Sequence, residues 1–375
     1  MTRALIVESA GALWGSERAL LDLIHATRHV EVAVCCPPRT LLEAELKRRG
    51  VRVLPYFIAG LHKKPRWRRV QAALGVLQAC LSFRPDVIHL NQSGAYRVAL
   101  PAATLLGLPL VGHIRIFEDA AYLARQNPDP RRLKGIIAIS GAIEKEIRGF
   151  KSLSAVPVHR IYDAYAPASP ATGAIKRAPG RIACVGRVTP IKGQEVLLAA
   201  LAMMDNPPEG AECLIVGDGD ADYVQRLKIM VRGVGRVRIE WAGFVRHVEP
   251  LLRTCAVLAC PSHREPLGRV IFEAWNAGAV PVVYAGAGGS VEIVSAADGG
   301  IVYEEQTPEC LARALAAAVG LGDCEAQRLV DNGRAWMVDH CHPEACGRAF
   351  SAVLAGTRKR ANGLDAPQAR TRSSP

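Results

Sequence analysis

The sequence has 375 residues, half of them hydrophobic, and a formal net charge of +12. This length and composition exclude a disordered chain and a small disulfide-stapled domain, and they allow two domains of ordinary size. The charge is uneven, because residues 1–165 carry a net +11 whereas residues 166–356 carry −3. We therefore expect the first half to face an anionic partner, such as a phosphorylated acceptor, a membrane surface or a nucleic acid.

The eleven cysteines are odd in number and lie mostly within apolar runs, which predicts buried free thiols in a reducing compartment. The cluster of His340, Cys341, His342 and Cys346 has no second pair at zinc-finger spacing, so a structural role is favoured over a metal site. The first residues, MTRALIVESAG, lack a signal-peptide pattern, and no stretch is apolar enough to span a bilayer. We expect a cytoplasmic protein that can dock peripherally on the inner face of the cytoplasmic membrane.

Short apolar runs alternate with helical patterns along the first half of the chain. Because these runs are continuous, they predict strands buried on both faces of a parallel sheet. The helical patterns include residues 16–27 and 40–50, and the second ends in a basic turn and a glycine, which is a helix stop. The predicted strands are residues 4–7, 30–36, 51–57, 86–90, 108–114, 135–140 and 156–162.

Residues 166–180 interrupt this alternation with proline, glycine and alanine, which predicts a linker. The alternation then restarts, so we expect an α/β fold with two Rossmann-like doubly wound domains facing each other across a cleft. The cleft is the expected ligand site. The predicted strands of the second half are residues 181–187, 212–219, 237–243, 256–262, 280–285 and 299–303. The expected units are a first Rossmann-like domain at residues 1–165, the hinge 166–180, a second Rossmann-like domain at residues 181–356 and a disordered basic tail 357–375.

The segment VGRVTPIKGQEVLL, residues 185–198, places two cations at the end of a predicted strand. Gly186 allows a turn directly after the strand, and Arg187 follows it. Lys192 and Gly193 come just before an amphipathic helical pattern. An arginine fork and a lysine beside a helix N-terminus suit a diphosphate, although the same charges would also suit an ordinary surface loop.

The segment REPLGRVIFE, residues 264–273, follows another predicted strand and leads into a helix. Gly268 leaves room for a ligand to approach the backbone, and the helix start supplies free N–H groups for an anion. Glu273, about one and a half turns into the helix, suits the ribose hydroxyls of a nucleotide, and Glu265 lies nearer the sugar end. The alternative is an ion pair between Arg269 and Glu273, with no role for Glu265.

In their order, spacing and strand–turn–helix context, the two segments resemble the GT-B glycosyltransferases, specifically the large retaining family numbered four. That family carries a G-R-x4-K-G loop and an E-P-x-G-x4-E stretch, which stand here at residues 186–193 and 265–273. LIVGDG at 214–219 and GAGGSVEIV at 286–294 resemble the family pattern as well. The resemblance is dense over residues 181–305 and loose over the first half of the chain.

The resemblance implies an enzyme that takes its sugar from a nucleotide-diphosphate donor, with residues 181–356 as the nucleotide-sugar side and residues 1–165 as the acceptor side. Contacts with the donor diphosphate are implied for Arg187, Lys192, Gly193, Leu267, Gly268 and Gly15. Contacts with the nucleoside are implied for Glu273, Phe244 and Gly217. The catalytic residues that it implies are Glu265, at the donor sugar, and His113. No metal and no cofactor besides the donor is implied, because side chains and a helix dipole would neutralise the leaving diphosphate.

The first half of the chain matches the family pattern less closely. A Gly-Gly-x-Glu loop is usual after the first strand, and residues 14–17 read Trp-Gly-Ser-Glu, so Glu17 could instead cap a helix. His113 stands where the family often has a histidine near the reaction centre, and a buried strand-end histidine is the alternative. The usual Asn-Gly after the seventh strand is Asp163-Ala164 in this sequence.

The segment KKPRWRR, residues 63–69, surrounds a tryptophan with cations. Such a mixture suits anionic lipid, and we expect it to dock a membrane surface or a phosphorylated, lipid-linked or saccharide acceptor. A solvated loop and a nucleic-acid contact are the alternatives, although the sequence resembles no base-reading module. The residues of this docking segment are Lys63, Lys64, Arg66, Trp67, Arg68 and Arg69.

Together these features predict a retaining, metal-independent glycosyltransferase. Its basic first half favours a role in the synthesis of cell-surface polysaccharide, lipopolysaccharide or glycolipid. Two alternatives share the architecture. One is a sugar-nucleotide epimerase, and the other is a non-catalytic protein that binds a nucleotide sugar or another anion.

Overall fold

The protein's computed structural model describes residues 1–56, 66–165, 178–204, 206–231 and 235–357. These residues form two parallel β-sheets, and each sheet has apolar clusters packed on both of its faces. The expected α/β fold with two Rossmann-like units is therefore confirmed.

The first sheet has seven parallel strands within the described residues. They are β1 (Thr2–Val7), β2 (Val30–Cys36), β3 (Arg52–Pro55), β4 (Val87–Leu90), β5 (Leu110–Ile114), β6 (Leu133–Ala138) and β7 (Val158–Arg160). The intervening helices are α1 (Gly15–Ala26), α2 (Leu41–Arg48), α3 (Arg66–Phe83), α4 (Tyr96–Leu106), α5 (Phe117–Arg125) and α6 (Gly141–Arg148). The strands pair in the order β3-β2-β1-β4-β5-β6-β7.

The second sheet has six parallel strands in the described part of the chain. They are β8 (Ala178–Val185), β9 (Glu212–Val216), β10 (Arg238–Gly243), β11 (Cys255–Cys260), β12 (Val280–Tyr284) and β13 (Ile301–Tyr303). The helices are α7 (Gln194–Ala202), α8 (Ala221–Met230), α9 (Glu249–Leu252), α10 (Arg269–Ala277), α11 (Gly289–Ala297), α12 (Pro308–Val319), α13 (Asp323–Cys341) and α14 (Pro343–Thr357). The strands pair in the order β10-β9-β8-β11-β12-β13.

Each sheet has a point where the strand order reverses, between β1 and β4 in the first and between β8 and β11 in the second. Ligands of such sheets bind at this point, beyond the carboxyl ends of the strands. The loop after β8 carries the G-R-x4-K-G segment, and the loop after β11 carries the E-P-x-G-x4-E segment. The topology therefore places the two segments side by side, although the sequence separates them by more than seventy residues.

The burial of the strands explains why their sequence pattern is continuous rather than alternating. Every residue of β4, β5 and β9 is buried, since helices cover both faces of each sheet. Local signals set several helix starts. Thr40 accepts a hydrogen bond from the backbone N–H of Glu43 at the start of α2, and Ser140 does so from Ile143 at the start of α6.

The last helix, α14, packs on the first sheet. Its Cys346, Phe350 and Leu354 join the same apolar cluster as Leu20 of α1. A side chain at Gly347 would meet the carbonyl oxygen of Ala26 at 2.2 Å, so this glycine permits the close contact of the two helices. The expected nucleotide-sugar unit ran to residue 356, and the structure places the end of that range against the opposite unit.

Other expectations fall partly outside the described residues. Of the expected hinge, only residues 178–180 are described, within β8, and of the expected tail only Thr357, the last residue of α14. All eleven cysteines are described as free thiols, and all but Cys310 and Cys324 are buried. His340 stacks on Trp336 with ring centroids 4.5 Å apart, which is a packing role. Among the described helices, none is both long enough and apolar enough to cross a bilayer.

Candidate active site

The loop after β8 follows a path that only glycine permits. Gly186 and Gly193 have φ angles of 150° and 71°, and a side chain at Gly193 would lie 2.0 Å from the carbonyl oxygen of Pro261. The backbone N–H of His263 also donates to the carbonyl of Ile191. The loop carrying Lys192 is therefore packed directly against the loop that leads to Glu265.

Lys192 and Glu265 form an ion pair in this cleft. The Nζ atom of Lys192 lies 2.5 Å from Oε2 of Glu265, and the hydroxyl of Ser262 donates to the same oxygen at 3.2 Å. Burial alone would lower the pKa of Lys192, but the adjacent carboxylate outweighs burial and holds that pKa above its usual value. The site thus holds a fixed cation beside a buried carboxylate.

The helix that begins after Gly268 carries the second glutamate. Gly268 has a φ of 87°, and a side chain there would crowd Ser290 and Ile271. Burial raises the pKa of Glu273 above its usual value, although Arg269 and Arg18 act to lower it. Arg269 makes its ion pairs across the cleft instead of only along its own helix, so the alternative of a simple Arg269–Glu273 pair does not account for its contacts.

Two of the three residues expected to contact the nucleoside, Gly217 and Phe244, lie near each other in the second unit. The backbone N–H of Gly217 donates to the carbonyl of Gly243 at 2.8 Å, and a side chain at Gly217 would lie 2.0 Å from the carbonyl of Gly186. Phe244 follows directly, and its ring is exposed. Gly217 and Phe244 therefore border the same edge as the loop after β8.

The start of α1 in the first unit covers this edge. The ring of Trp14 lies 5.5 Å from the guanidinium carbon of Arg187, and a side chain at Gly15 would meet Cδ of Arg269 at 3.9 Å. A guanidinium nitrogen of Arg18 lies 4.0 Å from Oε1 of Glu273. Glu17 is buried and accepts from the backbone N–H of Trp14, so it caps α1, as the alternative explanation held.

His113 lies near the carboxyl end of β5 and is buried. Its Nδ1 atom is 3.2 Å from Nε2 of His89 and 3.5 Å from a guanidinium nitrogen of Arg115. Burial, together with the charge of Arg115, holds the pKa of His113 well below its usual value, and burial lowers the pKa of His89 to about 3. Both imidazoles are therefore neutral, and Nε2 of His113 has no hydrogen-bond partner within the described residues.

Several contacts across the cleft were missed by reasoning from the sequence. The carboxylate of Glu292 accepts from the backbone N–H groups of Gly141 and Ala142 at the start of α6, at 2.8 and 2.9 Å. Tyr162 donates to the same carboxylate, and Ser140 donates to the carbonyl of Pro266. Glu292 belongs to the GAGGSVEIV segment, which resembled the family pattern without indicating a role at a helix start of the other unit.

A cavity of about 420 Å³ lies between the units beside these contacts. Phe117 and Glu146 of the first unit and Arg264 and Gly288 of the second unit line it. The Arg264 guanidinium carbon lies 4.0 Å from the Phe117 ring centroid, and Arg264 pairs with Glu146 at 3.2 Å. This space opens next to the backbone of Glu265, because Glu265 and Gly288 form a parallel bridge.

The docking segment is described in part. Lys63 and Lys64 lie outside the described residues, and Arg66 begins α3. Trp67 is 60% exposed, and Arg68 lies over its ring at 5.1 Å. The outer face of α3 continues with three further exposed apolar side chains at helical spacing, Val70, Leu74 and Leu81.

Two family models match the chain. The glycosyl transferase 4-like domain matches residues 15–164, and the glycosyl transferases group 1 model matches residues 179–320. Together they cover more than three quarters of the sequence and correspond to the two sheets.

Curated relatives match more distantly. A D-inositol 3-phosphate glycosyltransferase of Segniliparus rotundus is 32% identical over 34% of this chain and 29% of its own length. One from Streptomyces griseus is 27% identical over 76% of this chain and 72% of that protein. The chain therefore spans only about a third of the first of these relatives.

Solved structures show the same fold. Anabaena HepE in complex with UDP and glucose superposes with a TM-score of 0.79 at 21% identity, covering 95% of this chain and all of that one. At 21% identity, this match shows that the fold is shared. The family itself is shown by the two family models, which match both units. The chain thus belongs to the group 1 glycosyltransferases, of the GT4 type with the GT-B fold.

Proposed function

We propose that this glycosyltransferase moves a sugar from a nucleotide-diphosphate sugar to an acceptor hydroxyl, with retention of configuration and without a metal ion. The observation that carries the proposal is the convergence of Arg187, Lys192 and the start of α10 at one edge of the second sheet. Two cations and the N–H groups of a first helical turn suit a diphosphate. The solved complex of HepE with UDP and glucose supports a donor of this class.

In this mechanism the donor diphosphate lies between Arg187 and Lys192. The ammonium group of Lys192 has three N–H donors, so it can keep Glu265 and still bind a phosphate oxygen. The charge that develops on the leaving diphosphate is then neutralised by side chains and by the α10 dipole. Glu265 would contact the donor sugar and the positive charge at its anomeric carbon, and Glu273 would accept from the ribose hydroxyls.

Retention follows if the acceptor attacks from the face that the diphosphate leaves. The bond from the anomeric carbon to the phosphate oxygen breaks, the bond to the acceptor oxygen forms, and the departing phosphate oxygen takes the acceptor proton. No side chain is needed as a nucleophile in this scheme. His113 is neutral, so its role would be to donate or accept a hydrogen bond and not to supply charge.

On the acceptor side, we propose a phosphorylated or lipid-linked acceptor of cell-surface polysaccharide, lipopolysaccharide or glycolipid synthesis at an anionic membrane surface. The first 165 residues carry the excess of positive charge, and α3 contains no acidic residue. Because α3 runs antiparallel to the strands, its basic first turn lies at the same edge as the cleft. The name of the D-inositol 3-phosphate relatives supports a phosphorylated acceptor.

A panel of nucleotide sugars tests the donor proposal. We expect one of them, and its nucleoside diphosphate, to raise the melting temperature, and we expect acceptor-dependent release of that diphosphate in the presence of EDTA. Proton NMR of the product should show the anomeric configuration of the donor. Absence of stabilisation by every nucleotide sugar and diphosphate would contradict the proposal. Acceptor-free conversion of the donor to an isomeric sugar would instead indicate the epimerase, which no comparison supports.

A further inference from the structure

A buried chain of charges crosses the cleft through Asp163. Nη1 of Arg115 donates to Oδ1 of Asp163 at 2.6 Å, and Nη1 of Arg269 lies 3.7 Å from the other oxygen, Oδ2. Arg269 also donates to Asp22 of α1 at 2.9 Å and to the carbonyl of Ala164 at 3.3 Å. The side chains of Arg115 and Asp163 are only 4% and 6% exposed, so water does little to screen them.

Asp163 stands where the family pattern has asparagine. An asparagine would offer one oxygen and no charge, whereas two buried guanidinium groups need an anion between them. Arg115 belongs to the first unit, and Arg269 is the first residue of α10 in the second unit. Asp163 follows β7, and its neighbours Ile161 and Ala164 pack in a cluster of the first sheet. Separation of the two units would therefore take both Asp163 and Asp22 away from Arg269.

In the first unit, the row of charges that runs through Asp163 fixes the tautomer of His113. A guanidinium group can only donate, so the contact from Arg115 makes Nδ1 of His113 an acceptor. The contact from Nε2 of His89 reaches the same Nδ1 atom, and it agrees with this assignment if His89 carries its proton on Nε2. His113 then carries its own proton on Nε2, the atom that has no partner within the described residues.

In the second unit, the same row of charges reaches α10 through Arg269. Burial would lower the pKa of Arg269, but Asp163, Asp22 and Glu273 outweigh it and hold that pKa above its usual value. Arg269 thus stays charged, and it lies one helical turn before Glu273, the proposed ribose contact. Pairing at Arg269 sets the position of α10 relative to the first unit.

We propose that Asp163 is a positioning residue that joins closure of the cleft to the orientation of His113 as a hydrogen-bond donor. In the closed arrangement Asp163 holds α10 through Arg269, and it holds His113 in its Nε2–H form through Arg115. This inference rests on the proposed transfer reaction. It assigns Asp163 a role that acts through Arg115 and Arg269.

The test replaces Asp163 with asparagine, the residue of the family pattern and nearly the same shape. For Asp163→Asn we expect kcat to fall about 10- to 100-fold, while the Kd for the nucleoside diphosphate changes less than about threefold. Apart from Gly15, the expected diphosphate contacts all lie in the second unit, so they depend little on closure. Asp129→Asn, on an exposed loop of the first unit, is the matched control and should keep the wild-type kcat.

A double variant separates charge balance from a general structural role. In Asp163→Asn two guanidinium groups face each other without their anion, and Asp163→Asn/Arg269→Gln removes that conflict. We expect the double variant to be no slower than Asp163→Asn alone. If the kcat losses of Asp163→Asn and Arg269→Gln simply add in the double variant, the proposal is wrong.

Asp22→Asn keeps the test decisive if Asp163→Asn folds poorly, because Asp22 is partly exposed and does not touch Arg115. It should lower kcat through weaker closure but leave the imidazole ¹⁵N shifts of His113 in the Nε2–H pattern. Asp163→Asn should change those shifts. Unchanged shifts together with a kcat within twofold of wild type would overturn the inference. If wild type transfers no sugar, the proposed function fails instead, and the ¹⁵N shifts still report on Asp163.

Discussion

Lys192 and Glu265 form an ion pair although they are 73 residues apart in the chain. The Nζ atom of Lys192, in the loop after β8, lies 2.5 Å from Oε2 of Glu265, in the loop after β11. The family resemblance assigns them to different parts of the donor, the diphosphate and the sugar. In the structure each is the other's partner. In the proposed donor site the cation is therefore already positioned and the carboxylate already partly neutralised, which would limit the rearrangement needed on binding.

Replacing the two partners should have different effects. Lys192→Met removes the cation and leaves a buried carboxylate, so we expect the Kd for the nucleoside diphosphate to rise about 10- to 100-fold. Glu265→Gln should change that Kd only a few-fold but lower kcat by about 100-fold or more, because its charge matters when the sugar becomes positive. Calorimetry and initial rates measure the two effects. Lys47→Met, which replaces an exposed lysine of α2, is the control. Transfer at the wild-type rate by Glu265→Gln would refute the placement of Glu265 at the sugar.

A pair of glycines separates backbone strain from close packing. Gly193 and Gly50 share a φ of 71°, but a side chain at Gly193 would meet Pro261 at 2.0 Å, while one at Gly50 meets nothing within 4 Å. We expect Gly50→Ala to cost about 1 kcal/mol of unfolding free energy and to keep donor affinity. Gly193→Ala should cost clearly more and weaken diphosphate binding. Urea unfolding and calorimetry measure this, and equal effects of the two variants would argue against the packed loop.

The role of Glu273 can be tested with the sugar of the nucleotide. If it accepts hydrogen bonds from the ribose, wild type should bind the nucleoside diphosphate about tenfold more tightly than its 2′-deoxy form. In Glu273→Gln the ratio of these two Kd values should fall toward one. Phe244→Ala serves as a comparison, since it should weaken both ligands alike by removing a contact with the base. A preference that persists in Glu273→Gln would place the ribose elsewhere.

The buried carboxyl of Glu8 should make stability depend on pH. Burial and the nearby Glu17 raise the pKa of Glu8 to about 7 from a usual value of 4.5, although hydrogen bonds from Ala10 and Asn91 act against this. Its contribution to stability is then complete below about pH 4.5 and is lost as the pH rises through 7. The loss should approach about 3 kcal/mol by pH 8. In Glu8→Gln the unfolding free energy should fall less over this range, and parallel curves for the two proteins would contradict the prediction.

The exposed stripe of α3 predicts binding to anionic membranes. We expect the chain to sediment with vesicles that contain about a third of anionic lipid and not with purely zwitterionic ones. Leu74→Ser and Leu81→Ser should each weaken binding about three- to tenfold, since each removes apolar surface that the lipid would cover. Ile229→Ser, an exposed apolar side chain of α8 in the second unit, is the matched control. Equal losses in all three variants would place the membrane contact elsewhere.

Much of the fold was predictable because its signals are local. Continuous apolar strands such as β5 are those of a sheet covered on both faces. Gly193 and Gly268 mark turns that a side chain would block. The two donor segments were recognised because their order, spacing and strand–turn–helix context together resemble a known family. The destination of α14 was not predictable, since an apolar helix face such as that of Phe350 and Leu354 fits either sheet equally well by composition.

The candidate site was also predictable from the sequence only in part. By itself the sequence determined two doubly wound units and the edges at which their loops meet, while the donor residues of the second unit stay a prediction. Only the tertiary structure decided which charges meet across the cleft. Arg269 pairs with Asp22 and Asp163 and not simply with Glu273. The packing of the two units against each other sets these distances, and no spacing along the chain encodes that packing.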